Sequence, residues 1–159
     1  MTVMVNPDLF MQPDEINTND LLDRAQRYCA TAEHCPADVR QLLLRHGANN
    51  SQADEVIELL RQQNYLNDER YCMAFVHDKV AFQAWGRIKI LAALRAKQLP
   101  DSCIHAALQN IDDSVYADNM RKLLRSKRCQ DKQKVMRFML QRGYSYDDLR
   151  QFAEYETDD

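Results

Sequence analysis

The chain has 159 residues, of which 21 are Lys or Arg and 24 are Asp or Glu, giving a formal net charge of −3. Only three Gly and four Pro interrupt it, and this scarcity of turn residues excludes a fold built on β-hairpins and favours an all-α fold. No apolar run reaches the roughly 20 residues that a transmembrane helix needs, and the acidic N-terminus lacks the basic region of an export signal, so we expect a cytoplasmic protein.

The first 66 residues divide into an extension and one helical repeat. Residues 1–18 show no helical periodicity, which predicts a flexible N-terminal extension. Residues 19–66 then carry the apolar spacing of amphipathic helices. Pro36 lies where the second helix of this repeat begins, and Ser51 with Asp54 predicts the capping box of a third.

Two further repeats follow on the same plan. Residues 67–111 predict the second repeat, in which a turn at Gly86 separates the first helix from the next. Residues 112–156 predict the third, whose last helix is capped by Ser145 with Asp148.

The repeats share a short pattern: a β-branched residue, a large apolar residue four positions later, and a turn residue four positions after that. A spacing of four places both apolar side chains on one helix face, and Gly suits the left-handed residue that ends a helix. The pattern therefore predicts an all-α fold of three tandem three-helix repeats in an elongated, curved array. Its copies are Val39, Leu43 and Gly47; Ile90, Leu94 and Gln98; and Val135, Met139 and Gly143.

Charge is unevenly distributed along the chain. Residues 1–68 hold 5 basic and 11 acidic residues, residues 69–143 hold 15 and 7, and residues 144–159 hold 1 and 6. The net charges of these segments are −6, +8 and −5, and the last segment includes the predicted acidic tail, residues 157–159. This asymmetry predicts a basic working surface between two acidic ends.

A family signature lies at the boundary between the first two repeats. It consists of Tyr65, Leu66, Asp68 and Arg70 within the string from Val56 to Tyr71. This string resembles the Gly-Tyr-Leu-Asp-Asp-x-Arg-Phe hallmark of the RecX family. Further segments resemble the second and third repeats of that family, and the similarity covers roughly residues 20–155. These segments are Trp85-Gly86 with Lys89-Ile90, and Phe138 to Tyr144 with its ending Arg142-Gly143-Tyr144.

The chain departs from the family pattern at four positions. It has Asn64 in place of the usual Gly, Asn67 for the first Asp, Arg87 for a Pro and Gln98 for the Gly that closes a helix. These changes weaken local turns and leave the three-repeat register intact. The resemblance implies a small helical protein that binds the RecA recombinase and its DNA filament and modulates filament assembly, recombination and co-protease activity.

Basic residues are concentrated between Arg121 and Arg142, where Asp131 is the one acid. A solvated face is the alternative that needs no ligand, but repulsion among nine cations would cost stability. We therefore favour a surface for phosphates or for an acidic protein. For a second group, an extension of this surface and a solvated face are both open: Lys79, Arg87, Lys89, Arg95 and Lys97. The nucleic-acid or filament-binding residues predicted are Arg121, Lys122, Arg125, Lys127, Arg128, Lys132, Lys134, Arg137, Arg142, Lys89 and Lys97.

Aromatic residues near repeat joints allow two interpretations. Tyr65 and Tyr71 are expected in the core. Trp85, in a turn beside basic residues, is expected to pack as well, with stacking on a base or a partner surface as the alternative.

The sequence predicts no catalytic site, metal site or cofactor. Cys29, His34 and Cys35 lack a fourth ligand at structural-zinc spacing, and the odd number of cysteines favours reduced, structural thiols. The three glycines do not form a phosphate-binding Gly-Lys-Ser/Thr loop, so any nucleotide hydrolysis belongs to a partner.

The resulting hypothesis is a non-enzymatic, monomeric regulator that docks in the groove or at an end of a RecA–DNA filament. It would block subunit addition or the access of duplex DNA. Its direct binding to single- and double-stranded DNA is expected to be weak and salt-sensitive. The alternatives are a stand-alone helical nucleic-acid-binding module and, with least support, an enzyme.

Overall fold

The computed structural model describes residues 16–155, with side chains as far as Phe152. The predicted tail 157–159 and residues 1–15 of the predicted extension lie outside this part of the chain. All regular structure among the described residues is helical, which confirms the predicted all-α repeat fold, and none of these helices is long and apolar enough to span a bilayer. The helices are α1 (Thr18–Thr31), α2 (Pro36–Arg45), α3 (Asn50–Gln62), α4 (Asp68–Gln83), α5 (Arg87–Ala96), α6 (Asp101–Gln109), α7 (Asp113–Ser126), α8 (Lys132–Gln141) and α9 (Tyr146–Tyr155).

An Asn or Asp side chain caps the first helix of each predicted repeat. The Oδ1 atom of Asn17 accepts the backbone N–H of Asn19 at 2.9 Å. Asn67 and Asp112 do the same for the N-termini of α4 and α7, at 2.9 and 2.8 Å. Each cap satisfies a backbone donor that the helix itself leaves without a partner, and so stabilises the start of the helix.

The structure corrects one predicted cap and confirms another. The capping box predicted at Ser51 with Asp54 is wrong, because α3 begins earlier and Asn49 bonds with Gln52 in both directions, at 2.8 and 3.1 Å. Asn49 has the extended backbone that an N-cap requires, whereas Ser51 is already helical. Ser145 and Asp148 form the predicted reciprocal pair, with both bonds at 3.0 Å.

The recurring pattern ends its helix in the same way in all three repeats. Its turn residues Gly47, Gln98 and Gly143 have φ angles of +88°, +61° and +97°. In each case the next residue donates its backbone N–H back to the large apolar residue of the pattern, as in the 3.2 Å bond from Tyr144 to the carbonyl of Met139. The prediction of a helix followed by a left-handed stop is confirmed.

The apolar residues of the pattern occupy the centre of the fold. Val39, Leu43, Ile90, Leu94 and Met139 are all fully buried, whereas Val135 is partly buried. Buried residues form three clusters, centred on α1–α3, α4–α6 and α7–α9. Two residues cross this division, because Cys35, which precedes α2, packs in the second cluster with Cys72, and Ala37 of α2 packs against the same cluster.

Polar contacts between repeats connect neighbours along the chain. Arg70 of α4 pairs with Glu33, and Lys97 pairs with Asp38 of α2. The amide of Asn119 donates to the carbonyl of Val80 at 2.8 Å, which joins the second repeat to the third. Among the described residues, no side-chain hydrogen bond or ion pair joins the first repeat to the third, as expected of a quasi-linear array.

Candidate nucleic-acid interface

Two segments that are distant in sequence meet at the joint between the second and third repeats. The backbone N–H of Gly86 donates to the carbonyl of Arg142 at 2.7 Å, and that of Ile88 donates to Gly143 at 3.0 Å. The Tyr144 hydroxyl donates to the carbonyl of Ala84 at 2.6 Å. The turn before α5 and the turn after α8 therefore form one unit, which fixes the side chains on both turns relative to each other.

Trp85 lies half-buried on the repeat 2 side of this joint. Its indole packs edge-on against Phe75, with ring centroids 6.4 Å apart, and belongs to the second hydrophobic cluster. The ammonium groups of Lys79 and Lys89 lie 4.6 and 4.3 Å from the centre of the indole ring. Such contacts are attractive because the face of an aromatic ring is electronegative.

On the repeat 3 side of the joint, two cations likewise contact the ring of Phe138. The Lys127 ammonium lies 4.5 Å from the centre of its ring, and the Arg142 guanidinium carbon lies 5.8 Å from it. Arg142 also donates a hydrogen bond to the carbonyl of Gln83. The same side chain therefore contacts both repeats.

The two aromatic groups and their cations form a continuous strip across the joint. The link between them is tight, because a methyl group on Gly143 would overlap the base of the Lys89 side chain. We call this strip the cation–aromatic ribbon, and define it as Lys79, Trp85, Lys89, Arg142, Phe138 and Lys127. Sequence reasoning missed Phe138, although its position four residues before Arg142 was a usable signal, since that spacing brings side chains together on a helix.

Three of the predicted basic residues border one groove in the third repeat. Lys127, Arg128 and Lys132 line its rim, and its volume is about 290 Å³. The floor is apolar and consists of Leu124, Val135, Met136, Met139, Leu149 and Phe152. The structure thus gathers cations from the α7–α8 turn and the start of α8 on one side of the repeat.

The remaining predicted cations of the third repeat are exposed on α7 and α8: Arg121, Lys122, Arg125, Lys134 and Arg137. Arg121 pairs with Asp118 at 2.8 Å and lies over the ring of Phe152. Within the part of the chain that the structure describes, the cations from Lys122 to Arg142 form no ion pair. Their charge is therefore not neutralised by the described carboxylates, and this face of the third repeat is positively charged.

Lys97 has a different setting from the other predicted site residues. Its ammonium donates to both carboxylate oxygens of Asp38, at 3.0 and 3.3 Å, across the joint between the first and second repeats. Burial alone would raise the pKa of Asp38, but hydrogen bonds from Lys97 and Cys35 outweigh it and hold that pKa below its ordinary value. No contact connects Lys97 with the ribbon, and its pairing gives it a structural part at the first joint.

The residues considered as metal ligands are engaged in packing. His34 stacks on Tyr28 with ring centroids 3.6 Å apart, and Cys35 is buried. In the described residues, no three His, Cys, Asp or Glu side chains lie close enough together to hold a metal ion.

Comparison with known proteins places the chain in a family. Residues 67–108 match the family model described as the second three-helix domain of RecX. The regulatory protein RecX of Haemophilus ducreyi (strain 35000HP) is 31% identical over 112 residues, which are 67% of this chain and 73% of that protein. This chain belongs to the RecX family of regulatory proteins.

Other RecX proteins match with different coverage. The regulatory protein RecX of Clostridium perfringens (strain 13) is 33% identical over 120 residues, 69% of this chain, and the chain spans 56% of the length of that relative. The crystal structure of RecX from Lactobacillus salivarius superimposes with a TM-score of 0.74 at 18% identity, over 87% of this chain and 95% of that one. At this identity the likeness concerns the fold, and it agrees with the helical repeats described above.

Proposed function

We propose that this RecX-family protein is a non-enzymatic regulator that binds the RecA recombinase and its DNA filament in the cytoplasm. In this proposal it inhibits or modulates filament assembly, recombination and co-protease activity. The observation that carries the DNA part is the ribbon together with the unneutralised cations of the third repeat. They place Lys89, Arg142 and Lys127 on one strip that crosses two repeats.

The form of this surface favours phosphates over base edges as its ligands. Lysine and arginine side chains contribute most of the sequence-independent affinity for nucleic acids, because they release counterions from the phosphate backbone. Contacts of this kind set position and carry no sequence information directly. A regulator that acts on filaments of any sequence needs this kind of binding. The acidic N-terminal segment, residues 1–68, would then be free to contact a basic surface of the recombinase.

A stand-alone nucleic-acid-binding module remains the second candidate. Three-helix units can present a recognition helix to the major groove, and the exposed Lys134 and Arg137 share one face of α8. The two candidates differ in their need for the recombinase. A pull-down of purified RecA without DNA separates them, because only the regulator retains RecA.

The regulatory proposal is tested by titrating the purified protein into a RecA ATPase assay on single-stranded DNA. We expect suppression of ATP hydrolysis and of strand exchange, and no ATP hydrolysis by the protein alone. Unchanged RecA turnover at saturating protein would contradict the proposal.

The DNA surface is tested by reversing the charges of Arg125, Arg128 and Lys134 to Glu in one variant. If about four to six phosphates are neutralised, the log–log salt slope on single strands is roughly −3 to −4, and the variant should lose most of it. The matched control reverses three cations of the first repeat, Arg24, Arg27 and Arg45, which changes the net charge equally. Equal loss in both variants would indicate a general charge effect and refute the assigned surface.

A further inference from the structure

Lys79 and Lys89 lie on different helices and converge on one ring. Their ammonium groups lie within 4.6 and 4.3 Å of the centre of the Trp85 indole, so they are no more than about 9 Å apart. Neither lysine has an ion-pair partner among the described residues. Two positive charges are thus held near each other with no described carboxylate to neutralise them, which favours an anionic ligand.

Both lysines are held at more than one point. The Lys79 ammonium also lies 5.2 Å from the centre of the Phe75 ring, and Phe75 itself packs against Trp85. The base of Lys89 lies against Gly143 of the third repeat, where a methyl group would displace it. The two side chains are therefore ordered before any ligand arrives.

We infer that Lys79, Trp85 and Lys89 form a phosphate clamp in the second repeat, which binds two phosphates of one nucleic-acid strand. Trp85 is its positioning residue. The indole orients the two ammonium groups and does not stack on a base. This inference rests on the proposed binding of DNA and deepens it, because it adds Lys79 to Lys89 and assigns both to the phosphates of one strand, with Trp85 to position them.

The spacing and the ordering both fit this ligand. A nucleic-acid strand carries one charge per about 3.4 Å of helix axis, so ammonium groups up to about 9 Å apart can reach two phosphates of the same strand. Immobilising a long side chain on binding costs about 0.5–1.5 kcal/mol, and the contacts with Trp85 remove part of this cost in advance. The two ammonium groups also lie over the indole ring, where a stacked base would have to lie.

The experiment compares binding of an oligothymidylate with binding of an abasic phosphodiester strand of equal length. Lys79→Gln and Lys89→Gln should each reduce the single-strand salt slope by about 0.7 on both ligands. Trp85→Leu should weaken binding about 2- to 10-fold on both ligands while the slope stays near the wild-type value, since the charges remain. Trp85→Phe, which retains an aromatic face, should recover most of the affinity.

A double-mutant cycle separates positioning from a merely structural role. In the background of Lys79→Gln with Lys89→Gln, Trp85→Leu should have no further effect on affinity. Phe82→Leu is the control, because Phe82 is a nearby ring that is 79% exposed and outside the clamp, and it should leave affinity unchanged. Trp85 is the only tryptophan of the chain, so its fluorescence should also change when the abasic strand binds. That measurement needs only the wild-type protein.

Three results would overturn the clamp. If Trp85→Leu weakens binding of oligothymidylate only, the indole stacks on bases. If the lysine variants keep the wild-type slope while charge reversal of Arg125, Arg128 and Lys134 removes it, the clamp fails and the proposed function stands. Absence of binding by the wild-type protein to both strands would refute the DNA part of the proposed function together with the clamp.

Discussion

Gly86 and Gly143 lie backbone to backbone across the joint between the second and third repeats. A methyl group on Gly86 would overlap the carbonyl group of Gly143. Gly86 has an ordinary φ of −80°, so its requirement for glycine is steric and does not come from backbone conformation. The close approach also allows the hydrogen bonds from Gly86 to Arg142 and from Ile88 to Gly143.

Gly86→Ala should therefore force the second and third repeats apart. We expect a loss of about 1–3 kcal/mol in the free energy of unfolding, measured by urea denaturation, because backbone cannot move aside as a flexible side chain can. Hydrogen exchange at the amides of residues 86 and 88 should accelerate. The control is Gly47→Ala, whose methyl group would meet, among the described residues, the Ile16 side chain and no backbone, and whose cost arises from a φ of +88°. If the amides of residues 86 and 88 exchange equally slowly in Gly86→Ala and in Gly47→Ala, the contact between Gly86 and Gly143 does not hold the joint together.

The repeat register predicts equal responses at equivalent core positions. Leu94→Ala and Met139→Ala should each reduce the free energy of unfolding by about 2–5 kcal/mol. Both side chains are fully buried, and they occupy equivalent positions near the ends of α5 and α8. Ile88→Ala is the matched control, since Ile88 is 54% exposed and should cost little. Losses below about 1 kcal/mol at both core positions would contradict the register.

The fold could be predicted from the sequence because the decisive signals are local. The four-residue spacing of Ile90 and Leu94, for example, determines which helix face is buried without reference to any other part of the chain. The start of α3 was predicted wrongly because the local signal there is ambiguous. Both Ser51 and Asn49 have side chains that can cap a helix. Which of them does so depends on where the turn at Gly47 ends and the helical backbone of α3 begins.

The arrangement at the joint could not be predicted, because it depends on packing between residues far apart in sequence. The charge run suggested Lys89 and Arg142 separately, yet only the docking of the two turns brings them onto one strip. Packing can also separate residues that are close in sequence, as it does for Lys97. It lies in the same stretch of basic residues as Lys89, but tertiary packing places it against Asp38 at the first joint.

Gln98 stands where the family has a helix-closing Gly, and it adopts the left-handed conformation at φ +61°. A side chain in this region costs about 1–2 kcal/mol, whereas Gly adopts it freely but loses more entropy on folding. Gln98→Gly should therefore stabilise the protein by about 0.5–1 kcal/mol in urea denaturation. The matched control, Ala96→Gly at an exposed helical position in the same turn region, should destabilise it by about 1 kcal/mol. A destabilising Gln98→Gly would refute the conformational argument.

Acidification should destabilise the first repeat through His34. Burial lowers the pKa of its imidazole below the ordinary value of 6.5, although Asp38 and Glu33 act to raise it. The unfolded chain therefore binds a proton at a pH where the folded chain does not, so the free energy of unfolding falls as the pH falls below about 6.5. Asp38 also has a lowered pKa, so the free energy of unfolding falls further in a separate pH range, below about pH 4.

The His34 contribution is isolated by urea denaturation between pH 7 and pH 5 of the wild type and of His34→Gln. The variant should lose part of the decline in stability, because glutamine takes up no proton on unfolding. His105→Gln is the control, since that imidazole is exposed on α6, and it should retain the full decline. If His34→Gln and the wild type lose stability in parallel across this range, the half-buried imidazole of His34 is not the source of the pH dependence.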